Sequence, residues 1–458
     1  MTSTRRPLVG FYGDDFTGST DAMEALASQG VDVLLFLRTP TDEESALARE
    51  HHTAVGIAGM SRSQGVTWMD AQLPAPFAQL RAMQPLIVHY KVCSTFDSSP
   101  GIGNIGRAIE IGRSVFSSRA ATPIVVGAPA LGRYTAFGHL FARANDGYYR
   151  IDRHPTMSRH PVTPMKESDL LIHLAQQTDL RGKLFDFVAQ RQPDARERFE
   201  EAMASSEMIL LDVLDEVSQI CVGERLWQVA RNQNEPLFCV GSSGVEYALV
   251  AHWRRAGIHD VSPQRWEQTP VDRIAVVSGS CSPVTAKQID CAEADGFFCV
   301  RADPTLLIGQ GTAGAEMARL RGAALQTLAQ GRSVLAFTAR GPQDPAIAQL
   351  NAFIREHQLD PVAALSQVGN ALDVLLRELI GGAGLTRVAV AGGDTSGQVV
   401  QALGLSALRM RATLTPGAPL CGGVREVGRH PVIEIALKGG QMGSDRYFAA
   451  VRAGRPLT

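Results

Sequence analysis

The sequence predicts an α/β protein of two domains, each built on a mainly parallel sheet. Three observations lead there. Short runs rich in β-branched and aromatic residues alternate with Ala- and Leu-rich stretches of helical character, the pattern of layered α/β folds. The chain has 458 residues, beyond the roughly 250 to 300 at which a single core stops growing. The alternation lapses over residues 251–272, where "AHWRRAGIHDVSPQRWEQTPVD" brings Trp, adjacent Arg and Pro together.

The first domain is expected over residues 1–250. Its candidate strands are "LVGFYG", "VDVLLFL", "HTAVGIAG", "PLIVHYKV", "TPIVVGAP", "MILLDV" and "PLFCVG". Helical patterns lie between several of them, from Asp21 to Gln29 and from Ile105 to Phe116. After the lapse the rhythm resumes with "RIAVVSGS", "GFFCVRAD", "SVLAFTAR", "LTRVAVAGGD" and "PVIEIALKGG". The second domain is therefore expected over residues 272–458.

Composition narrows the function classes. Apolar residues make up 45% and charged residues 20%, as in a globular enzyme. A net charge of −2 gives no reason to expect a nucleic acid or an acidic membrane as partner. Cys93, Cys221, Cys239, Cys281, Cys291, Cys299 and Cys421 are scattered without a CxxC pair, which is neither a zinc pattern nor a disulfide frame. The start "MTSTRRPLVG" has no apolar segment of signal length, and no run reaches about 18 apolar residues. The expected compartment is the cytosol.

In α/β sheets ligands bind outside the carboxyl ends of the strands, so the residues that follow apolar runs carry the functional information. After "GFYG" come Asp14 and Asp15. After "AVGIAGM" come Ser61, Arg62 and Ser63. After "LIVHY" come Lys91 and then "CSTFDSS", with Cys93, Ser94 and Thr95. After "PIVVGAPA" comes "LGRYT" with Arg133. One rim would thus gather two carboxylates, Arg62, Lys91, Arg133 and several hydroxyls. Arg forks a carboxylate, Lys supplies a point charge and Asp accepts from hydroxyls. The expected ligand is small, polyhydroxylated and anionic. The two adjacent carboxylates can divide their labour, one facing the ligand and the other capping the following helix, since a cap needs only one. The aspartate motif of phosphatases is close, but it separates its two Asp by one residue and here they are contiguous.

The second domain carries three loops of another kind. "RVAVAGGDTSGQVVQAL" places Gly392, Gly393, Asp394 and Thr395 between a strand and a helix. "IAVVSGSCSPVTAKQI" does the same with Ser278 and Ser280. "IEIALKGGQMGSDRYF" adds Lys438, Gly439 and Gly440. Free amides at a helix start, with glycines that allow close approach, favour phosphate. Each loop alone is also an ordinary tight turn; three together point to a nucleotide. No G-x-x-x-x-G-K-[ST] occurs. "GIGNIG", residues 101–106, matches G-x-G-x-x-G, but it does not directly follow a strand and lacks an acidic residue near the expected distance. His160, in "SRHPVTPMKESDL", reads first as a structural histidine in a loop that could reach the site; no H-x-x-x-H or H-E-x-x-H spacing suggests zinc.

With "GDDFTGSTD", "KVCSTFDSSPGIGNIG", "MSRHPVTPMKESDL", "VVSGSCSPVTAKQI" and "GGDTSG" in order, the sequence resembles the four-carbon acid sugar kinase family, the threonate, erythronate and 3-oxo-tetronate kinases. The resemblance spans nearly the whole chain. It implies an N-terminal substrate domain, a C-terminal nucleotide domain, and ATP-dependent phosphorylation of a terminal hydroxyl on a tetronate-like acid. Substrate contacts would fall on Asp14, Asp15, Arg62 and the Lys91 to Ser94 stretch. ATP contacts would fall on Ser280, Gly392 to Thr395 and the glycines after Lys438. Cys93 stands where many members carry Asp, "GGDTSG" replaces a commoner Glu form, and "KGGQMG" replaces a form with Asn-Phe. The first departure bears on which acid is accepted.

The mechanism expected from these residues has Arg62 and Lys91 hold the substrate carboxylate. One of Asp14 and Asp15 accepts the proton of the attacking hydroxyl, with Asp15 the favoured base for its place nearer the helix start. The glycine loops hold ATP with Mg²⁺, whose protein ligands the sequence does not identify, and domain closure excludes water. Two rivals stand beside it: a non-catalytic sensor of sugar acid and nucleotide, and an NAD-dependent oxidoreductase using "GIGNIG". The expected partners are a sugar acid and ATP, with room left for a homodimer.

Overall fold

The computed structural model describes the chain except residues 1–5, 118–119, 145–146, 161, 259–260, 265, 267 and 458, and except the side chains of residues 394, 395, 398 and 401. It divides into two compact units, residues 1–264 and 265–458.

The strands of the first unit are β1 (Val9–Gly13), β2 (Val33–Phe36), β3 (Ala54–Ala58), β4 (Ile87–Lys91), β5 (Thr122–Val125), β6 (Arg133–Ala136), β7 (His139–Ala144), β8 (Gly147–Arg150), β9 (Gly182–Phe185), β10 (Met208–Leu211) and β11 (Leu237–Gly241). The main sheet runs β2-β3-β1-β4-β11-β5-β10-β9, and its pairings are parallel. Strands β1 to β4 are buried along their whole length, which is why they read as continuous apolar runs rather than alternating ones. From β1 the chain goes to one side for β2 and β3, then crosses to the other for β4. The carboxyl ends of β1 and β4 therefore flank a topological switch point, the place where such sheets bind ligands.

The second unit adds β12 (Ala275–Ser278), β13 (Phe298–Arg301), β14 (Val334–Phe337), β15 (Arg387–Ala391), β16 (Ala407–Ala412), β17 (Leu420–Val424) and β18 (Ile433–Lys438). Their order is β13-β14-β12-β15-β18-β17-β16. The pairs from β13 to β18 are parallel, and β17 and β16 close the order antiparallel. Here the switch point lies between β12 and β15. Val276, Leu335, Ala389 and Ala436 of these strands, with Ile274 just before β12, pack with Ile289, Tyr447 and Phe448 from helices over the sheet.

Every strand expected from the sequence is present, and the additional ones are mostly antiparallel. Strands β6, β7 and β8 form a separate three-stranded sheet. Its residues are largely half-buried or exposed, so no apolar run announces it. The Asp212 carboxylate ties down its first turn by accepting from Phe137 N at 2.6 Å and Gly138 N at 3.1 Å. In β17 the pair Gly422–Gly423 hides the strand, and a side chain at Gly422 would meet Pro431 at 2.8 Å. Helix Ile105–Val115 lies as expected. Helix Phe16–Ala27 begins earlier than Asp21, because extended Asp15 caps it. Helix Gly244–Ala256 runs into the 251–272 stretch and ends at Gly257, whose φ is 63°; Arg254 and Arg255 in its last turn suit the negative helix end. No helix is long and apolar enough to cross a membrane among the described residues.

Candidate active site

Backbone bonds knit the carboxyl ends of β1, β3 and β4 into one rim. Asp14 N donates to Lys91 O at 2.9 Å, Gly59 N to Gly13 O at 2.9 Å, and Arg62 N to Asp14 O at 3.0 Å. The two adjacent aspartates then meet different surroundings. Asp15 accepts from the Gly18 amide and from Arg62 Nη1 at 2.7 Å. Burial works against its charge, but Arg62, Lys91 and the Gly18 amide outweigh that and hold its pKa below the ordinary value. Asp14 is 4% exposed, and its Oδ1 has no hydrogen-bond partner. Burial, followed by the charge of Asp15, raises its pKa to about 7 against the pull of Arg62 and Lys91.

Arg62 is committed on both sides. Its Nη2 lies 3.0 Å from each oxygen of Asp97. Asp97 is itself buried. It accepts further bonds from Thr95 and, at 2.8 Å, from Thr163, and these partners with Arg62 hold its pKa low despite burial. Thr163 also meets His160: its amide donates to His160 Nδ1 at 3.0 Å. The loop containing His160 thus reaches the site through Thr163. Lys91 is buried, with Nζ 3.3 Å from Asp21 Oδ2. Burial opposes its charge, but Asp21 and Asp15 raise its pKa above the ordinary lysine value. Asp21 also accepts from Ser243 at 2.7 Å. A Cβ at Gly18 would stand 2.7 Å from Lys91 Nζ and 2.7 Å from Asp15 Oδ1, so glycine is required there by close approach.

Cys93 and Ser94 are half-buried, and Thr95 Oγ1 lies 3.0 Å from Cys93 Sγ. Half-buried Arg133 donates from Nη1 to Leu131 O at 3.2 Å and Gly132 O at 3.3 Å, and its buried Nε has no partner. Sequence reasoning singled out Asp14, Asp15, Arg62 and Lys91, which this rim joins. It missed Asp97, Thr163, Asp21 and Ser243. Asp97 stood inside the quoted "CSTFDSS", and Asp21 inside "GDDFTGSTD", but neither directly follows an apolar run.

In the second unit the three glycine loops also gather at strand ends. Gly279 N donates to Ala391 O at 3.0 Å, and Gly392 N to Lys438 O at 2.9 Å. Gly392 has a φ of 128°, a conformation that excludes other residues without strain. Helix Gly393–Ala402 follows it directly; the side chains of Asp394 and Thr395 lie outside the described residues. Ser278 is buried at the end of β12. Ser280 Oγ lies 3.0 Å from Thr285 Oγ1, and Ser282 caps helix Pro283–Ala294. Thr285 Oγ1 lies 3.1 Å from Gly440 O and 2.9 Å from Lys438 Nζ. A Cβ at Gly440 would press on Ser280 Oγ at 2.9 Å. Ser280, Thr285, Lys438, Gly439 and Gly440 thus form one cluster, with the start of helix Gly393–Ala402 beside it.

"GIGNIG" has a different role. The first amides of its helix are consumed internally: Ile105 N and Gly106 N by Gln177 Oε1 at 2.8 and 3.4 Å, and Arg107 N by Asn104 Oδ1 at 2.6 Å. Gly103, at φ 61°, lets the loop approach Arg62 O, which a Cβ would meet at 2.6 Å. The segment is a brace for the Arg62 loop rather than an open cradle for a pyrophosphate.

Two family models match the chain. One, described as a sugar-binding N-terminal domain, covers residues 9–249. The other, described as a nucleotide-binding C-terminal domain, covers residues 275–448. Among characterised relatives, the 3-oxo-isoapionate kinase of Paraburkholderia graminis is 46% identical over 450 residues, covering 98% of this chain and 94% of that one. The 3-oxo-tetronate kinase of Cupriavidus necator is 30% identical over 463 residues, covering 98% of this chain and 97% of that one. A solved structure from Salmonella typhimurium LT2 matches with a TM-score of 0.74 at 25% identity, covering 97% of this chain and 98% of that one.

Proposed function

We propose, from the premise that the chain belongs to the four-carbon acid sugar kinase family, that it transfers the γ-phosphoryl group of ATP to a terminal hydroxyl of a 3-oxo sugar acid. The 3-oxo group is the feature common to the substrates named for the two relatives above. Residues 1–250 hold the acid and residues 272–458 the nucleotide. The reaction runs where ATP is found, in the cytosol; no disulfide is formed among the described residues.

The observation that carries the reading is Asp14. A buried carboxylate at a switch point, with an unpartnered oxygen and a pKa raised to about 7, suits a general base near neutral pH. This reverses the preference for Asp15 drawn from sequence position. Asp15 is spent on the helix cap and on Arg62, and its lowered pKa makes it a poor proton acceptor. In the proposed step the Asp14 carboxylate takes the proton of the attacking hydroxyl. The hydroxyl oxygen forms its bond to the γ-phosphorus, the bond from phosphorus to the β,γ-bridging oxygen breaks, and ADP leaves. Arg62, oriented by Asp15 and Asp97, and Lys91, oriented by Asp21, are the rim cations offered to the acid's carboxylate; their own carboxylate partners offset their charge, so they act as directed hydrogen-bond donors. Half-buried Cys93, Ser94 and Arg133, with Thr95, line the approach to them.

In the nucleotide unit the start of helix Gly393–Ala402 and the loops of Ser278, Ser280 and Lys438 to Gly440 cradle the phosphates. Among the described residues no group of three or more His, Cys, Asp or Glu is placed to hold a metal. Mg²⁺ would enter with the phosphates of the nucleotide. When bound, it neutralises phosphate charge.

The test is ADP release on mixing the protein with ATP, Mg²⁺ and a panel of tetronates and 3-oxo acids. Acid-dependent release with a phosphorylated product is expected. Binding of both ligands without release would leave the sensor reading instead.

A further inference from the structure

Lys438 is the least compensated cation in the protein's described core. Its side chain is fully buried at the end of β18. Its ammonium has three donors but meets only Thr285 Oγ1 at 2.9 Å and Gly440 O at 3.4 Å, both neutral. Strands β15 and β17 flank β18, and helix Pro283–Ala294 abuts its end through Thr285. Among the described side chains, none of these elements sets a carboxylate against Nζ; the start of helix Gly393–Ala402 also lies beside it, and the side chain of its Asp394 is outside the described residues. Nearby surface charges are already paired: Lys287 with Asp445 at 2.6 Å, and Arg446 with Asp295 at 2.8 Å. At the other end of β18, Glu434 is taken by Arg387 at 2.6 Å. A charge in such a place is unfavourable unless an anion joins it. The surrounding loops are Ser278–Ser282, Gly392–Gly393 and Gly439–Gly440; the amides of Gly279 and Gly392 are bonded within the protein, so the phosphate reading uses those of Gly393, Gly439 and Gly440.

We propose that Lys438 stands as a neutral amine in the free protein and takes up a proton when the phosphate chain of a nucleotide binds, becoming its buried counter-ion. The proposal rests on the nucleotide role assigned above to residues 272–458. The proton comes from solvent to the lone pair of Nζ, and the buffer's conjugate acid supplies it. Burial alone lowers the group to about 7 in the free protein, so it is mostly uncharged at pH 8. A phosphate anion beside it restores the ordinary lysine range. Binding at pH 8 should therefore absorb most of a proton.

The experiment is calorimetric titration of the full chain with ADP at pH 8, in Tris and in a buffer of small ionisation enthalpy. The observed heat should differ between buffers in proportion to about one proton taken up. Lys438→Met, which keeps the apolar stem, should lose that difference. In the intact protein, ADP affinity should weaken by up to about tenfold per pH unit between pH 7.5 and 9.5, a range in which ADP itself stays ionised. Equal heats in both buffers together with a flat affinity would overturn the linkage while leaving the nucleotide site intact. A Lys438→Met protein that keeps the buffer difference would overturn its assignment to Lys438. Failure of the intact protein to bind ADP would overturn the nucleotide reading itself, and this proposal with it.

Discussion

Arg62 gives its Nη1 to Asp15 at 2.7 Å, although its backbone amide binds the carbonyl of Asp14. Its other terminal nitrogen, Nη2, is held by Asp97. The guanidinium is thus fixed between two carboxylates of low pKa, and the third, Asp14, keeps an oxygen without a partner. Two neighbours in sequence thus part ways: Asp15 is tied to the helix cap and to Arg62, and Asp14 keeps an unpartnered oxygen.

Asp14→Asn should lower kcat by ~10²–10⁴-fold, the usual range for general-base help, with KM for the acid changed little. Asp15→Asn keeps the cap, since Asn caps well, but weakens the hold on Arg62. It should raise KM for the acid more than it lowers kcat. Steady-state kinetics on both variants checks the division; full turnover in Asp14→Asn removes that residue from the mechanism.

With Asp14 as the proposed base, the free protein needs it ionised, and kcat/KM should fall as pH drops through about 7. Stability should run the other way. A carboxyl raised from 3.8 to about 7 binds more proton in the folded state than in the unfolded one across that interval. Its ionisation therefore costs folding free energy as pH rises from about 4 through 7. Asp14→Asn should be more stable than the parent at pH 8, by a few kcal/mol at most, and the gain should shrink toward pH 4. Thermal melts at both pH values measure it.

Asp97→Asn removes one of the two carboxylates that hold Arg62. More of the guanidinium's field then reaches Asp14, and the acid limb of the kcat/KM profile should move to lower pH. A merely structural role for Asp97 would lower activity without moving that limb, so the pH profile separates the two.

Gly393→Asp tests the second unit. A Cβ there meets nothing within 4 Å, so the fold should tolerate the change. The new carboxylate stands at the start of helix Gly393–Ala402, where it opposes the phosphates. ADP affinity should drop at least about tenfold, the equivalent of roughly 1.4 kcal/mol, while binding of the sugar acid is kept. Unchanged ADP binding would move the nucleotide to another loop.

Much of this was legible in the sequence, for a physical reason. Buried parallel strands read as near-continuous apolar runs, so β1, β3, β4, β12, β15 and β18 stand out despite a few charged residues, and the residues after them lie at the ligand-binding edge. That logic reached Asp14, Asp15, Arg62 and Lys91 without a structure, along with the glycine loops and Lys438. The half-exposed sheet β6-β7-β8 and glycine-bearing β17 lack that signal. The "GIGNIG" match shows the limit of a motif, because only the fold reveals Gln177 on its amides.

The sequence by itself determined the layers, the strand ends and the set of charged groups at each rim, since hydrophobic period and turn chemistry are local properties of the chain. Only the tertiary structure decided which charge answers which. Asp97 is 35 residues from Arg62, Ser243 is 222 from Asp21, and Thr285 is 153 from Lys438. Whether a carboxylate is an anchor or a base, and whether a lysine is charged or waiting for an anion, depends on burial and on partners such as these. Both are set by long-range packing, which a one-dimensional pattern does not carry.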